Sequence, residues 1–162
     1  LTWDDADMDQ SRGESHAGIG SAVELSRDEC WQRLSTQQVG RVAYVGDDGP
    51  RIVPVNYVLR EGHVEFRTTS YSELATHAPG HPVAFEVDEL DTAHHAGWSV
   101  VVTGRCERAM DEFNTVFSSP TEQSATPWAG GRRPMVLRIE VGHVSGRHVG
   151  ETGWHHPEPR RS

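Results

Sequence analysis

The residues best suited to chemistry lie in one short segment, FRTTSYSEL at positions 66–74. A predicted strand ends there with Phe66, Arg67 and Thr68. Further hydroxyl residues lead into a predicted helix that begins at Ser70 or Ser72, and Thr69 is among them. Free N–H groups at a helix N-terminus favour a phosphate, and an arginine can pair with one through two hydrogen bonds. A capped helix beside a solvated arginine fits the same residues, so residue types alone leave both interpretations open.

The charge balance excludes several classes of function. All 15 basic residues are arginine, and the 24 acidic residues bring the net charge to −9. Without lysine, neither a lysine Schiff base nor a phosphate-binding P-loop is available. An acidic chain is a poor partner for nucleic acid or an anionic membrane surface. No apolar stretch is long enough for a membrane span, and the N-terminus resembles no signal peptide, so we expect a cytoplasmic protein.

Other reactive side chains are scattered. Cys30 and Cys106 are far apart and are predicted to be reduced structural thiols. The ten histidines include the adjacent pairs 94–95 and 155–156, but their spacing matches no known zinc motif, so no metal site is predicted. The sequence contains no GxSxG elbow, and no side chain stands out as a catalytic acid, base or nucleophile.

Three regions are predicted along the chain. Residues 1–22 are acidic and rich in Gly and Ser and should form a mobile leader. Residues 23–150 should form one folded domain, followed by a flexible tail at 151–162. Ser26 and Glu29 form a capping box that predicts a helix to about Leu34, and SYSELATH predicts another over 70–77. Alternating apolar residues predict strands at 41–45, 51–59, 64–68, 83–90, 97–108, 135–141 and 143–149, with a bulge at Gly104.

The predicted strand 51–59 has unusual features. Val53, Val55, Tyr57 and Leu59 should form a buried face, but the opposite face is also mostly apolar, which predicts that both faces are covered. Pro54 cannot donate to a strand ladder, so the strand should be an edge, carry a bulge or open towards a ligand. Six or seven antiparallel strands with two or three short helices predict a mainly β fold, a small β-barrel.

A long polar segment, residues 118–134, separates two of the predicted strands. It contains Trp128 and the pair Arg132–Arg133. It could be a simple connector with Trp128 packed on the barrel. It could also form a wall of a ligand pocket, because long loops in compact domains are often functional.

The order of the motifs RIVPVNYV, VEFRTTSYSEL, VAFEVDELD and GWSVVVTGRCE resembles the pyridoxamine 5′-phosphate oxidase-like superfamily of FMN-binding split β-barrels. The resemblance covers residues 25–149 and is nearest to the short actinobacterial-type members. It implies a homodimer with two flavin sites at the subunit interface. It also implies an FMN-dependent oxidoreductase that passes hydride or electrons between a reduced nucleotide and an unknown small molecule.

The resemblance also implies a set of cofactor contacts. Strand 51–59 would lie beside the isoalloxazine ring, and Arg67 and Thr68, with the hydroxyls before the short helix, would hold the ribityl phosphate. Trp98 and Ser99 would approach from the partner subunit, Trp128 could stack on the flavin, and Arg51 could assist at the phosphate. The full predicted set is Arg51, Pro54, Val55, Asn56, Phe66, Arg67, Thr68, Thr69, Ser72, Trp98, Ser99 and Trp128.

One position departs from the family pattern. Many relatives have a lysine near the start of the short helix, where this chain has Glu73. A carboxylate beside a phosphate is repulsive. Three alternatives to the FMN enzyme therefore remain: a non-catalytic flavin-binding or sensor protein, a deazaflavin-dependent reductase, and a barrel without cofactor. For the deazaflavin coenzyme, Arg51, Arg132 and Arg133 could form the cationic groove that its acidic tail requires.

Overall fold

A computed structural model of the protein describes residues 22–109 and 133–150. Every strand pairs antiparallel with its neighbours, in the order β1-β7-β4-β3-β2-β5-β6, and a further pairing of β6 with β7 closes the barrel. The predicted mainly β barrel is confirmed. The elements are β1 (Val23–Glu24), α1 (Arg27–Leu34), β2 (Val39–Gly46), β3 (Gly49–Arg60), β4 (His63–Thr68), α2 (Glu73–His77), β5 (Pro82–Asp91), β6 (Ala96–Arg108) and β7 (Met135–Val149).

The core lies inside the barrel, because alternate residues of each strand point inward. Val83, Phe85 and Val87 of β5 are buried as predicted, and the ring of Tyr57 meets that of Phe85 edge-on with centroids 4.8 Å apart. Helix α1 begins with the predicted capping box at Ser26. Tyr57 donates a hydrogen bond from its hydroxyl group to the carbonyl at the end of this helix, which ties α1 to the barrel.

The last described part of the chain forms one long strand, where two were predicted. β7 runs without interruption from Met135 to Val149. The pairing register with β6 shifts where Thr103 pairs with His143 and Gly104 pairs with Val141, so the extra residue is Gly142 of β7, and the bulge predicted in β6 at Gly104 lies on the opposite strand. A side chain at Gly104 would begin 2.0 Å from the carbonyl oxygen of Glu140. The bulge bends the ladder here without ending it, which is why a turn between two strands is not needed.

The cysteine and metal predictions can be compared with the described part of the chain. Cys30 and Cys106 are both free and fully buried, as expected of structural thiols. Burial raises the pKa of the Cys106 thiol to about 12. Residues 22–109 and 133–150 contain no cluster of side chains suited to a metal ion, and none of their helices is long and apolar enough to cross a membrane.

The two faces of strand β3 differ in burial. Val53, Val55, Tyr57 and Leu59 face the barrel interior, as predicted. No described residue covers the opposite face, where Ile52 is 69% exposed, so its predicted cover by a second copy or a flavin stays a prediction. Some predictions lie outside the described residues: Trp128, the tail 151–162, the leader except residue 22, and the 118–134 segment except its last two residues.

Candidate functional site

The barrel opens between strands β3 and β4. Their ladder extends only from Arg60↔His63 to Tyr57↔Phe66, whereas β3 continues back to Gly49 and pairs there with β2 alone. β4 continues past Phe66 to Thr68 and pairs there with β7 alone. The two strands therefore separate, and Pro54 lies on the unpaired edge, as one reading of the sequence predicted. A proline is well tolerated here because this edge has no neighbouring strand to accept an N–H.

A pocket of about 440 Å³ occupies this opening. That volume lies in the usual range for small-molecule sites. Apolar side chains from β2, β3 and α2 form one part of its wall, and polar side chains from β4 and the start of α2 form another. The pocket is lined by Val39, Tyr44, Val53, Pro54, Val55, Asn56, Arg67, Thr68, Ser72, Glu73, Leu74 and Arg133.

The hydroxyl groups of Thr68 and Ser72, which line the polar part of the pocket, already make hydrogen bonds within the turn before α2. Ser72 is the N-cap of α2: its Oγ accepts the N–H of Ala75 at 3.1 Å and donates to the carbonyl oxygen of Thr69 at 3.0 Å. Thr68 Oγ1 lies 2.8 Å from Ser72 Oγ, and it must be the donor because the single Ser72 proton is engaged. In this arrangement the hydroxyls shape the loop and offer oxygen acceptors. Helix α2 has only five residues, so its dipole contributes little.

Two arginines supply the donors that the hydroxyls do not. Arg67 lines the pocket next to the buried Thr68, and its guanidinium group makes no hydrogen bond or ion pair with any described residue. Arg133 lines the same pocket, and its buried Nε has no hydrogen-bond partner in the described part of the protein. Buried donors are rarely left unpaired, because an unsatisfied donor costs free energy. An anion in the pocket would satisfy both guanidinium groups.

Glu73 also lies at this end of the pocket, but its carboxylate is held by neighbouring side chains. Its Oε1 is 3.3 Å from Arg51 Nε, and its charge also acts on the nearby Tyr44 hydroxyl. Burial, reinforced by the Glu73 charge, raises the pKa of the Tyr44 hydroxyl. Arg51 also pairs with the exposed Asp48 at 3.3 Å. A Cβ at Gly46 would lie 2.2 Å from Glu73 Oε1, so the glycine makes room for the carboxylate.

The structure brings together six of the predicted site residues. They line one pocket, and they are Pro54, Val55, Asn56, Arg67, Thr68 and Ser72. Two others are one contact away, because Arg51 pairs with Glu73 and Thr69 accepts a hydrogen bond from Ser72.

The remaining predicted residues lie elsewhere. Phe66 is fully buried in the core beside the last rung of the β3–β4 ladder. Trp98 is 2% exposed, donates from Nε1 to Glu89 at 3.2 Å and carries Arg33 over its ring at 5.6 Å. Ser99 follows Trp98 on β6, outside the pocket lining. Their predicted contacts with a cofactor held by a partner subunit stay predictions.

Sequence reasoning missed several lining residues. Val39, Tyr44, Val53 and Leu74 look like ordinary alternating core residues, and nothing in their types distinguishes them. Arg133 was not in the predicted set of cofactor contacts, although its segment was considered as a pocket wall and its charge as part of a cationic groove. The sequence feature that pointed to Arg133 was its position directly before the predicted strand at 135–141. Knowledge of the β4–β7 pairing would have placed Arg133 beside the end of β4.

Comparison with known proteins assigns the chain to a family. Residues 26–148 match the family model described as pyridoxamine 5′-phosphate oxidase. The chain belongs to this family. Sequence comparison finds a relative in the uncharacterized protein Rv0080 of Mycobacterium tuberculosis. It is 33% identical over 141 residues, which span 84% of this chain and 91% of the relative.

Solved structures of similar proteins support the same placement. The FAD binding protein from Mycobacterium smegmatis superposes with a TM-score of 0.61 at 26% identity, covering 79% of this chain and 98% of that one. An FAD-binding protein from Mesorhizobium loti superposes with a TM-score of 0.60 at 26% identity, covering 83% of this chain and 100% of that one. The resemblance of this pyridoxamine 5′-phosphate oxidase family member to the split barrels is thus confirmed.

Proposed function

We propose that this protein binds a flavin in the opening between β3 and β4 and acts as a flavin-dependent oxidoreductase on a small molecule. The observation that carries the proposal is the pocket itself. An apolar wall stands beside two arginines, Arg67 and Arg133, that have no partner among the described residues. A flavin nucleotide has this same division, with a flat aromatic ring at one end and a phosphate beyond the ribityl chain.

The phosphate would bind at the arginine end. Arg67 and Arg133 can each donate two charge-assisted hydrogen bonds to phosphate oxygens. Thr68 and Ser72 would hold the loop that carries Arg67 in place, since their hydroxyls are joined to each other and to the backbone. The sequence analysis assigned the phosphate to Arg67 together with the hydroxyls and the helix N-terminus. The hydrogen bonds that the hydroxyls already make favour the arginines among these groups.

The ring would lie along the unpaired edge of β3. Val53 and Val55 offer apolar contact, and Asn56 lies beside them. Beyond the end of the β3–β4 ladder, this edge has no strand neighbour within the described chain. A flavin placed here could use the exposed backbone and the Asn56 amide to orient its polar edge. When bound, the flavin supplies the hydride and electron chemistry, and the protein supplies position and electrostatics.

The names of similar proteins support a flavin and leave the choice among flavins open. The proteins from M. smegmatis and M. loti are described as FAD-binding. FMN, the prediction from the family resemblance, shares the ring, the ribityl chain and the 5′-phosphate with FAD. The pocket features described above serve either molecule. The deazaflavin coenzyme stays an alternative, because Arg51 and Arg133 both lie at the phosphate end.

A second candidate function, binding without turnover, is favoured by the state of the titratable groups. Tyr44 and Glu73 line the pocket, Glu73 pairs with Arg51, and burial raises the pKa of the Tyr44 hydroxyl. Tyr44 is therefore not poised to transfer a proton near neutral pH. A sensor or carrier would need no such group.

A homodimer is part of the proposal. The outer face of β2 and β3 carries apolar side chains that the described residues leave exposed, including Ile52 (69%) and Val45 (67%). The pairs Ala43↔Ile52 and Val45↔Pro50 place these residues on one side of the sheet. A second copy would cover this face and could bring Trp98 and Ser99 to the flavin. Light scattering after size exclusion would test it, with a mass of one chain, 18.0 kDa, as the contrary result.

The test of the function begins with the absorbance spectrum of the purified protein. It is repeated after incubation with FMN, FAD or the deazaflavin coenzyme and desalting. Retained flavin bands near 370 and 450 nm would support the proposed site. Bleaching of these bands by NADH or NADPH, followed by reoxidation with an added acceptor, would favour the oxidoreductase over the binding protein. Retention of no flavin would refute both candidates.

A further inference from the structure

A second cavity lies beside the flavin pocket, and its lining combines apolar side chains with hydrogen-bond donors. It has a volume of about 630 Å³ and lies between the end of helix α1 and the last residues of strand β3. We propose that this cavity binds a small carboxylate with an apolar body and that Arg60 recognises the carboxylate group. The inference deepens the proposed function and rests on it for the role of the ligand, which would be the substrate of the bound flavin.

The two cavities meet at residues that are neighbours in the chain. Val39 and Asn56 line the flavin pocket, and Gln38 and Tyr57 line the second cavity. Asn56 donates from Nδ2 to the carbonyl oxygen of Gln38 at 3.5 Å, so this contact lies at the boundary. A ligand in the second cavity would therefore lie next to a flavin ring placed along the edge of β3.

Strand β3 leaves one edge without a strand partner in the second cavity. Its pairing with β2 ends at Val39↔Asn56. One further backbone hydrogen bond follows, from the Tyr57 N–H to the Gln38 carbonyl. N–H groups point alternately to the two sides of a strand, so the Leu59 N–H points the same way as that of Tyr57. No strand in the described part of the chain reaches it there, and this donor is available to a ligand.

Arg60 supplies a positive charge at the end of this edge. Its side chain lines the cavity, is 52% exposed, and places Nε 3.3 Å from Glu65 Oε2. Glu65 also pairs with Arg138, whose Nη2 is closer, at 2.7 Å. Two guanidinium groups and one carboxylate leave one net positive charge. Arg60 can therefore pair with a ligand carboxylate through charge-assisted hydrogen bonds.

The polar groups at the α1 side of the cavity are already hydrogen-bonded. The carbonyl oxygens in the last turn of α1 accept hydrogen bonds from Ser35, Thr36 and Tyr57. Gln37 donates from Nε2 to Glu89 at 3.2 Å, so the carboxylate nearest to this amide is also engaged. These groups need no ligand, and recognition of the ligand falls to Arg60 and the edge of β3.

The outward side of β3 links the proposed carboxylate site to the flavin pocket. Asn56, Val58 and Arg60 lie on this side at alternate positions. Four residues of strand span about 13 Å. A ligand whose carboxylate binds Arg60 would lay its apolar body over Val58, in the direction of the flavin ring.

Titration of the full chain with 4-phenylbutyrate, followed through the backbone amide signals by NMR, tests the proposal. 4-Phenylbutyramide is the matched probe, because it has nearly the same size and no charge. The carboxylate should bind roughly five- to tenfold more tightly than the amide, since only the carboxylate forms a charge-assisted pair with the half-exposed Arg60. The amide signals of Gln38 and Leu59 should shift. Equal dissociation constants for the two probes, shifts confined to other regions, or no binding of either probe would overturn the proposal.

Two variants test the role of Arg60 in this binding. Arg60→Gln should weaken 4-phenylbutyrate binding to the level of the amide and leave the amide constant unchanged. Glu65 keeps Arg138 in this variant, and the NMR spectrum shows whether the fold is retained. Arg105→Gln is the control, because this exposed arginine pairs with Glu107 and lines neither cavity. A constant for Arg60→Gln within about twofold of the unaltered protein, or an equal loss in the control, would contradict the assignment.

Failure of this inference is distinguishable from failure of the proposed function, because the titration needs no flavin. If the protein retains no flavin and 4-phenylbutyrate binds as expected, the carboxylate site stands and its role as a substrate site is wrong. If flavin is retained and the two probes bind equally, only the carboxylate inference fails. If both ligands bind, 4-phenylbutyrate should shift the absorbance bands of the adjacent flavin. An unchanged spectrum would overturn the substrate role.

Discussion

Replacement of Arg67 by alanine is the most direct test of how the pocket holds a phosphate. Arg67 lines the pocket, and its side chain makes no ion pair or hydrogen bond with another described residue, so truncating that side chain should leave no described group unpaired. The loss in binding then reports the ligand contact alone. A charge-assisted hydrogen bond contributes about 1.5–3 kcal/mol, which corresponds to a roughly 10- to 150-fold weaker dissociation constant for FMN or FAD.

The assay is flavin fluorescence titration at two salt concentrations. Riboflavin should bind to Arg67→Ala as it does to the unaltered protein, because only the phosphate contact is lost. Arg105→Ala is the matched control: it removes the same charge from a strand residue that pairs with Glu107 and lies outside this pocket. This control should change FMN binding less than twofold, since a distant exposed charge is screened by salt.

Two results would refute the reasoning about Arg67. Unchanged affinity for the phosphorylated flavins would show that Arg67 does not contact the phosphate. Equal weakening of riboflavin and FMN would show that the substitution alters the ring site or the fold. Arg67→Lys should recover only part of the lost affinity, because an ammonium group cannot form the two parallel hydrogen bonds of a guanidinium.

Three further predictions concern the fold. Because burial raises the pKa of Cys106 to about 12, a thiol reagent at pH 8 should label neither cysteine until denaturant is added; rapid native labelling would contradict this. Arg138→Met should lower the free energy of unfolding by about 2–3 kcal/mol, since it removes the guanidinium group that lies 2.7 Å from the buried Glu65 carboxylate. Denaturant titration measures this free energy, and a loss below about 0.5 kcal/mol would contradict the prediction. Gly40→Ala should lower the melting temperature by several degrees, because its Cβ would lie 2.3 Å from a ring carbon of Phe85. Gly142→Ala is the control: its Cβ would lie 3.4 Å from the carbonyl oxygen of Thr103, an ordinary contact, so the melting temperature should not fall.

Local features were readable from sequence because they depend on neighbouring residues. The capping box at Ser26 involves only groups three residues apart, and alternation along β5 reports its own buried face. Pro54 marked the position of the free strand edge, since proline lacks the N–H that a paired strand would need. The glycine at 104, within an otherwise regular strand, marked the place of the register shift, although the extra residue, Gly142, belongs to β7.

Other features depend on groups that are distant in sequence. Whether β7 is one strand or two depends on how β6 bends beside it. Whether Trp98 is exposed to a ligand or buried depends on its neighbours: Glu89 accepts a hydrogen bond from its Nε1, and Arg33 lies over its ring. Residue type cannot distinguish these possibilities, because tryptophan packs equally well in a core or against a ligand.

The sequence by itself determined the β-barrel class, the strand boundaries to within a few residues, and the segments that supply Pro54, Asn56 and Arg67. The tertiary structure decided which of those residues meet. Strands β3 and β4 separate after Tyr57↔Phe66, and only that separation brings the edge of β3 beside the end of β4. It also decided that Glu73 turns to Arg51 and Tyr44. The physical reason is that strand pairing and charge pairing join residues far apart in the chain, and periodicity carries no information about either.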